Sequence, residues 1–357
     1  MLKGDPFARF DVESLLRGFT GRAGLLVAVS GGPDSMALLR LAARWRERDG
    51  RPPVFAATVD HGLRDDSAGE AEAVGGWSAA LGVPHEVLVW EGTKPLTRLQ
   101  ERAREERYRL LIAHAGKVGA DTVLLAHHAS DQAETVLLRL TRGSGVGGLA
   151  GMAAETTRGG VFLARPMLKL DKSELVTLCE ALGQGFFHDP SNENSRFARV
   201  RLRRLATTLA AEGLDRDALL RLARRARRVD AALTTAVDFI ENQISARRSE
   251  RSIQVEVDLL RGAPLEILIR FLDRELSALT GARPRYDRLE ALAERLGAAL
   301  AARERLAATL GGARLVLSAK GVLVASLESP RGPAKPRNEK DKEKETCRVH
   351  SVHLKVV

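Results

Sequence analysis

The feature that most constrains this 357-residue chain is an alternation, ahead of Thr141, of short continuous apolar runs with longer amphipathic stretches. The runs LLVAVS ending at Ser30, VFAATV ending at Val59, HEVLVW ending at Trp90 and DTVLLA ending at Ala126 have the character of strands buried on both faces. Around them, Met36 to Arg48, Ala68 to Leu81, Thr97 to Lys117 and Asp131 to Thr141 carry apolar residues at helical spacing. This βαβα order predicts an α/β domain, a doubly wound parallel sheet covered by helices on both faces. Ligands in such sheets sit at the carboxyl ends of the strands.

The first run leads into Ser30-Gly31-Gly32-Pro33-Asp34-Ser35 and then into a helical pattern opened by Met36, Leu38 and Leu39. Backbone N–H groups at a helix start attract phosphate oxygens, and Gly31 and Gly32 allow close approach. No GxxxxGK[ST] occurs, so a Walker-type loop is not supported. The competing reading is an ordinary strand-to-helix turn with Asp34 and Ser35 as caps. A second glycine-rich stretch, Gly143 to Gly148, matches G-x-G-x-x-G but follows a helix instead of a strand, which removes the dinucleotide-binding context.

After the fourth run comes His127-His128-Ala129-Ser130-Asp131-Gln132-Ala133-Glu134-Thr135. Asp131 and Glu134 share one helix face and suit a cationic side chain, or the removal of a proton from an ammonium. The same spacing also describes a capping box with Asp131 as N-cap and Glu134 at N3. The adjacent histidines lack HExxH spacing or thiolate partners and do not suggest zinc. Arg104 and Arg107 also fall on one helical face, either reaching a phosphate or standing solvated.

From about Ser195 the chain becomes Arg- and Ala-rich, with Leu219, Leu222, Ala223, Ala226, Val229, Leu233, Val237 and Ile240 at helical spacing. Further helices are expected near Leu265 to Leu279 and Tyr286 to Leu300, with two β-like runs at Leu315 to Leu317 and Val322 to Ala325. The expected organisation is a catalytic domain over 1–212, a second, mostly helical domain over 213–327, and a charged tail over 328–357 too poor in apolar residues to order itself.

Composition narrows the partner. Lys plus Arg number 56 against 46 Asp plus Glu, a net +10, which favours a polyanion. Aromatics make up only 4%, so contact through phosphates and overall shape, as with a folded RNA, fits better than stacking on many unpaired bases. Ten arginines against three acids between Arg199 and Arg228 mark where such contact is expected. Two distant cysteines, Cys179 and Cys347, supply neither a CxxC pair nor a four-cysteine metal site. The start MLKGDPFARF lacks a signal-peptide core, and no apolar run approaches the roughly 18 residues of a membrane span. A cytoplasmic protein with no membrane partner is expected, with a homodimer left open.

The stretches SGGPDS, VDHGLR, QERAREERYRLL, HHASDQAETVLLRLTRGSGVGGLAGM, RPMLKLDKSEL and DPSNENSRFARVRLRRL, in this order from Ser30 to about Leu205, resemble the tRNA(Ile)-lysidine synthetases, a pyrophosphate-loop (PP-loop) ATPase family. The resemblance implies that free L-lysine is joined to C2 of the wobble cytidine of a CAU-anticodon tRNA(Ile). ATP and Mg2+ are consumed and required respectively, the tRNA is adenylated in passing, AMP and pyrophosphate are released, and codon reading changes from Met to Ile. It further implies ATP contacts at Ser30, Gly31, Gly32, Pro33, Asp34, Ser35, His61, His128, Gly143, Ser144 and Gly145, with Asp34 helping to position the metal. Lysine is then read by Asp131 and Glu134. The catalytic set is Asp34, Asp131, Glu134, Arg104 and Arg107, and tRNA is met by Arg199, Arg203, Arg224 and Arg228. Longer members carry an additional C-terminal domain of which this chain has at most a remnant. The rivals are a tRNA thiolation enzyme, which the cysteine pattern does not suit, an amidating ATPase, and a non-catalytic RNA-binding relative.

Overall fold

The computed structural model describes residues 5–62, 66–92, 94–95, 97–187 and 198–328. Cys347, the expected tail beyond Glu328 and the Asp189 to Asn192 turn lie outside the described residues, as does the side chain of Arg199. A short α1 (Val12–Leu16) precedes β1 (Leu25–Ala28), α2 (Pro33–Arg46), β2 (Val54–Asp60), α3 (Ser67–Ala80), β3 (His85–Val89), α4 (Leu99–Lys117), β4 (Thr122–Leu124) and α5 (Ala129–Leu140). Then follow α6 (Val146–Leu149), the hairpin β5 (Glu155–Arg158) and β6 (Val161–Ala164), α7 (Lys172–Ala181), α8 (Ala198–Ala211) and α9 (Arg216–Gln243).

The strands form one sheet in the order β3-β2-β1-β4-β6-β5, parallel except for β5. Leu25 aligns with both Val54 and Thr122, so β1 is central, and its burial on both faces explains why LLVA has no polar alternation. One layer against the sheet contains Met36, Leu38, Leu39, Leu41 and Trp45 of α2, and the other contains Tyr108, Leu111 and Ala115 of α4. The expectation of burial on both faces fails for β3. It is an edge strand, with Val87 37% and Val89 53% exposed, so its apolar run overstates its burial.

Contacts divide the chain after Asp230, within α9 and beyond the expected 212/213 boundary. The first part of α9 stays with the catalytic unit because Leu219 and Ala223 pack against Ala133, Val136 and Leu137 of α5. The second unit adds β7 (Ala246–Arg248), β8 (Ser252–Glu256), α10 (Leu265–Thr280), α11 (Tyr286–Ala302), β9 (Leu306–Leu310), β10 (Ala313–Leu317) and β11 (Val322–Leu327). Its strands make an antiparallel sheet in the order β7-β8-β11-β10-β9, so three strands join the two that the sequence predicts. The omission has a physical reason. In β8 only Ile253 and Val255 face the core, while Gln254 and Glu256 face outward, and two apolar residues are too few to stand out as a run. The core of this unit is built from Phe271, Leu272 and Leu276 of α10, Leu292 and Leu296 of α11, and the inner face of the sheet. No helix among the described residues is long and apolar enough to cross a membrane.

Candidate functional site

Strand order places the chemistry. The chain leaves β1 to build β2 and β3 on one side, then returns to lay β4 on the other, so the carboxyl ends of β1 and β4 border the crevice where such sheets bind ligands. Ser30 to Ser35 follow β1, and His127 to Glu134 follow β4. Two motifs separated in sequence therefore meet at one switch point.

The first motif is a strand-to-helix turn locked by its own side chains. The Ser30 N–H donates to Ser35 Oγ at 3.1 Å, and that hydroxyl donates to the Gly32 carbonyl at 2.9 Å. Gly32 is the N-cap of α2 and Pro33 its first residue; the first intrahelical bond runs from Met36 N–H to Gly32 O at 3.0 Å. The amides ahead of Met36 thus belong to the unsatisfied first turn of a 14-residue helix, the arrangement that suits an anion. Gly31 has φ +80° and lies under Phe187, whose ring would stand 3.0 Å from a Cβ there. The Phe187 N–H also donates to the Gly31 carbonyl, and its ring packs against Trp77, which braces the loop from outside.

Asp34 points back from α2 toward the second motif. His128, 4% exposed and the N-cap of α5, sets Nε2 at 3.5 Å from both Asp34 Oδ2 and Asp131 Oδ2. Burial alone would lower the pKa of His128, but its hydrogen bond to Asp34 and the charges of Asp131 and Asp34 outweigh this and raise it. Asp131 Oδ2 accepts from the His128 N–H at 3.0 Å. A capping interaction therefore exists, but three residues earlier than the spacing suggests: His128 is the N-cap and Asp131 the N3 residue. Glu134 makes no cap; its carboxylate pairs with Arg203 of α8. Asp34 Oδ1 is buried with no hydrogen-bond partner among the described residues.

A cavity of about 460 Å³ opens beside the loop at the ends of β1 and β2, walled by α3 and α4. Its polar lining includes Ser30, Asp60, His61, Glu70, Gln100 and Arg107. Burial first, then the charge of Arg107, lowers the pKa of His61, which favours neutral imidazole at neutral pH; its Nδ1 is buried without a hydrogen-bond partner among the described residues. Burial likewise lowers Arg107 from the ordinary guanidinium value. The two arginines of α4 are placed differently: Arg107 lines the cavity, whereas Arg104 hydrogen-bonds Tyr108 Oη at 3.1 Å and lies over that ring. Gly143, Ser144 and Gly145 line no part of the cavity. They follow the far end of α5, whose 12 residues span about 18 Å from the His128 end.

A family model described as the PP-loop domain matches residues 9–209. A tRNA(Ile)-lysidine synthase of Methylobacterium nodulans is 48% identical, aligned over 86% of this chain and 91% of its own length. Proteins of the same name from Rhodopseudomonas palustris and a Bradyrhizobium species are 46% and 42% identical, covering 86% and 94% of this chain. The chain belongs to the tRNA(Ile)-lysidine synthase family. Among solved structures, the U34-tRNA thiolase NcsA from Methanococcus maripaludis, described with its [4Fe-4S] cluster, superposes with a TM-score of 0.51 at 17% identity. That match covers 61% of this chain and 78% of the thiolase, and is a likeness of fold.

Within the lysidine synthase family frame, several supporting residues escape sequence reading. Gln132 lies in the quoted motif, yet nothing local shows that its amide donates to the Met152 carbonyl at 2.8 Å and accepts from the Met152 N–H at 2.6 Å. Gly151, with φ +74°, leaves the room for this, since a Cβ there would stand 2.7 Å from Gln132 Oε1. Arg139 donates to the carbonyls of Gly148 and Gly151, and Arg227 to those of Ala150 and Met152. The RGSGxxGLAGM stretch is therefore a pinned strap, and Arg227, counted among the basic-surface candidates, serves it. Of the expected tRNA contacts, Arg224 and Arg228 are exposed on α9, opposite the buried Leu219, Ala223 and Ala226, with no ion pair among the described residues.

Proposed function

We propose that this chain ligates free L-lysine to C2 of the wobble cytidine of a CAU-anticodon tRNA(Ile), consuming ATP and releasing AMP and pyrophosphate. The observation that carries this reading is that the phosphate loop and the Asp131–Glu134 face stand at the ends of neighbouring strands, with His128 between Asp34 and Asp131. A reaction in two displacements needs such an arrangement. In the first, the cytidine C2 oxygen attacks the α-phosphorus and pyrophosphate leaves; in the second, the lysine ε-amine attacks C2 and the oxygen departs with AMP. Bare carbonyl oxygen is not a leaving group, so activation comes first.

In this reading the adenosine occupies the cavity beside His61 and Arg107, and the triphosphate lies across the α2 amides, which stabilise the charge that builds on pyrophosphate. The unpartnered Asp34 Oδ1 fits a cation at the phosphates. Mg2+ is commonly held by one or two carboxylates together with substrate phosphates, so no all-protein cage is required, and among the described residues none exists. When bound, the ion would neutralise phosphate charge. Asp131 and Glu134 would read the lysine ammonium, and Arg224 and Arg228 the tRNA backbone. Thiolation is disfavoured at Cys179: burial pushes its thiol up to about 12 and its Sγ–H is directed at the Pro33 carbonyl, so this residue offers no reactive thiolate.

The test is incubation with labelled lysine, ATP and total tRNA, followed by digestion to nucleosides. Label in a modified cytidine is the expected result. Label absent from RNA while ATP is still cleaved would refute the lysine assignment.

A further inference from the structure

Glu134 already holds a cation. Arg203 grips its carboxylate side-on, Nε to Oε1 at 2.5 Å and Nη2 to Oε2 at 3.1 Å. The hydrogen bond to Glu134 is the largest influence on this guanidinium and raises its pKa; burial opposes, and the charges of Glu134, Asp131 and Asp34 add to the rise. The guanidinium thus sits in the field of the three carboxylates that the reading above reserves for the metal and the substrate ammonium. A carboxylate engaged by a bidentate guanidinium has two of its lone-pair sites taken, and a second cation at that edge meets like charge.

The rest of α8 lets this side chain move without unpacking. Leu202 and Leu209 join the cluster that Ala133, Val136 and Leu137 form with Leu219 and Ala223, whereas the Arg203 side chain is 41% exposed. Guanidinium pairs with phosphate as readily as with carboxylate, and α8 and α9 carry the densest run of arginine in the chain.

We propose that Arg203 fills the place of the lysine ammonium at Glu134 while RNA is absent and transfers to an RNA phosphate when tRNA binds, so that the lysine subsite opens only on the RNA complex. This rests on Asp131 and Glu134 being the lysine subsite. The ordering has a chemical use: without RNA, an amine held beside the α-phosphorus of ATP could itself take the adenylate, and the ion pair keeps that amine out.

The test is calorimetric titration of the full chain with L-lysine, without ATP, in the presence and absence of tRNA. The wild-type protein should bind lysine about tenfold more tightly with tRNA. Arg203→Gln should bind about tenfold more tightly than wild type without tRNA and gain little on its addition. Arg203→Met, which keeps the packing of the stem, serves the same comparison if the first variant folds poorly. Lysine affinity equal to or below wild type in RNA-free Arg203 variants overturns the proposal. Glu134→Gln separates the two readings: a loss of lysine affinity in the tRNA complex upholds the subsite, whatever Arg203 does, and no loss removes the subsite and the gate together.

Discussion

Asp34 answers to several demands at once. It opens α2 where the helix dipole favours an anion, shares His128 with Asp131, and buries one carboxylate oxygen without a partner among the described residues. Asp34→Ala is therefore expected to reduce AMP release by at least about a hundredfold, measured by tRNA-dependent nucleotide turnover. Affinity for tRNA, read by filter binding, should stay near wild type because the residue lies apart from the arginines of α9; normal turnover would remove Asp34 from the phosphate chemistry. Glu134→Ala should weaken lysine use more than formation of adenylated tRNA, and equal loss in both steps would argue against lysine recognition. At this scale the sequence discloses the acids but not their partners. Ser30 to Ser35 and Asp131 are legible because a local pattern carries them. The bridge through His128 needs β1 beside β4, and the Glu134–Arg203 pair joins residues 69 apart, so neither has a local signature.

Among the elements, α5 does the most connecting. Its start faces the phosphate loop, its side packs α8 and α9, and Gln132 and Arg139 tie it to the strap at Gly148 to Met152. Gln132→Ala strips a buried amide from both the N–H and the carbonyl of Met152, a loss expected to cost about 2 kcal/mol. The denaturant midpoint should fall with the slope unchanged; an unaltered midpoint would show that Arg139 and Arg227 hold the strap without Gln132. Helical periodicity and buried runs made β1, β2, β4 and the main helices legible. The hairpin β5–β6 and the strands β7 to β9 were not: β5 and β7 to β9 have wet faces and few apolar residues and look like loop until their neighbours are known, and the apolar, buried β6 is a run of only four residues.

Across the whole molecule the charge balance and the fold point to the same partner. Arginine is densest on α8 and α9, which follow the catalytic sheet, and α9 buries Leu219, Ala223 and Ala226 while presenting Arg224 and Arg228 to solvent. Reversing both, Arg224→Glu with Arg228→Glu, should lower tRNA affinity and flatten its dependence on salt, since each lost phosphate contact releases about one fewer counterion. An unchanged slope would place these arginines away from RNA. Composition announced a nucleic-acid partner, but only the hydrogen bonds separate an arginine that structures the protein, Arg227 on the Ala150 and Met152 carbonyls, from the equally exposed Arg224 and Arg228. The central claim is that the loop after β1 presents the α-phosphorus of ATP to RNA. Following ATP labelled at the α-phosphate, with and without tRNA and before lysine is added, tests it most directly: label should pass onto tRNA with release of pyrophosphate, and accumulation of labelled ADP, or AMP formed equally well without RNA, would contradict it.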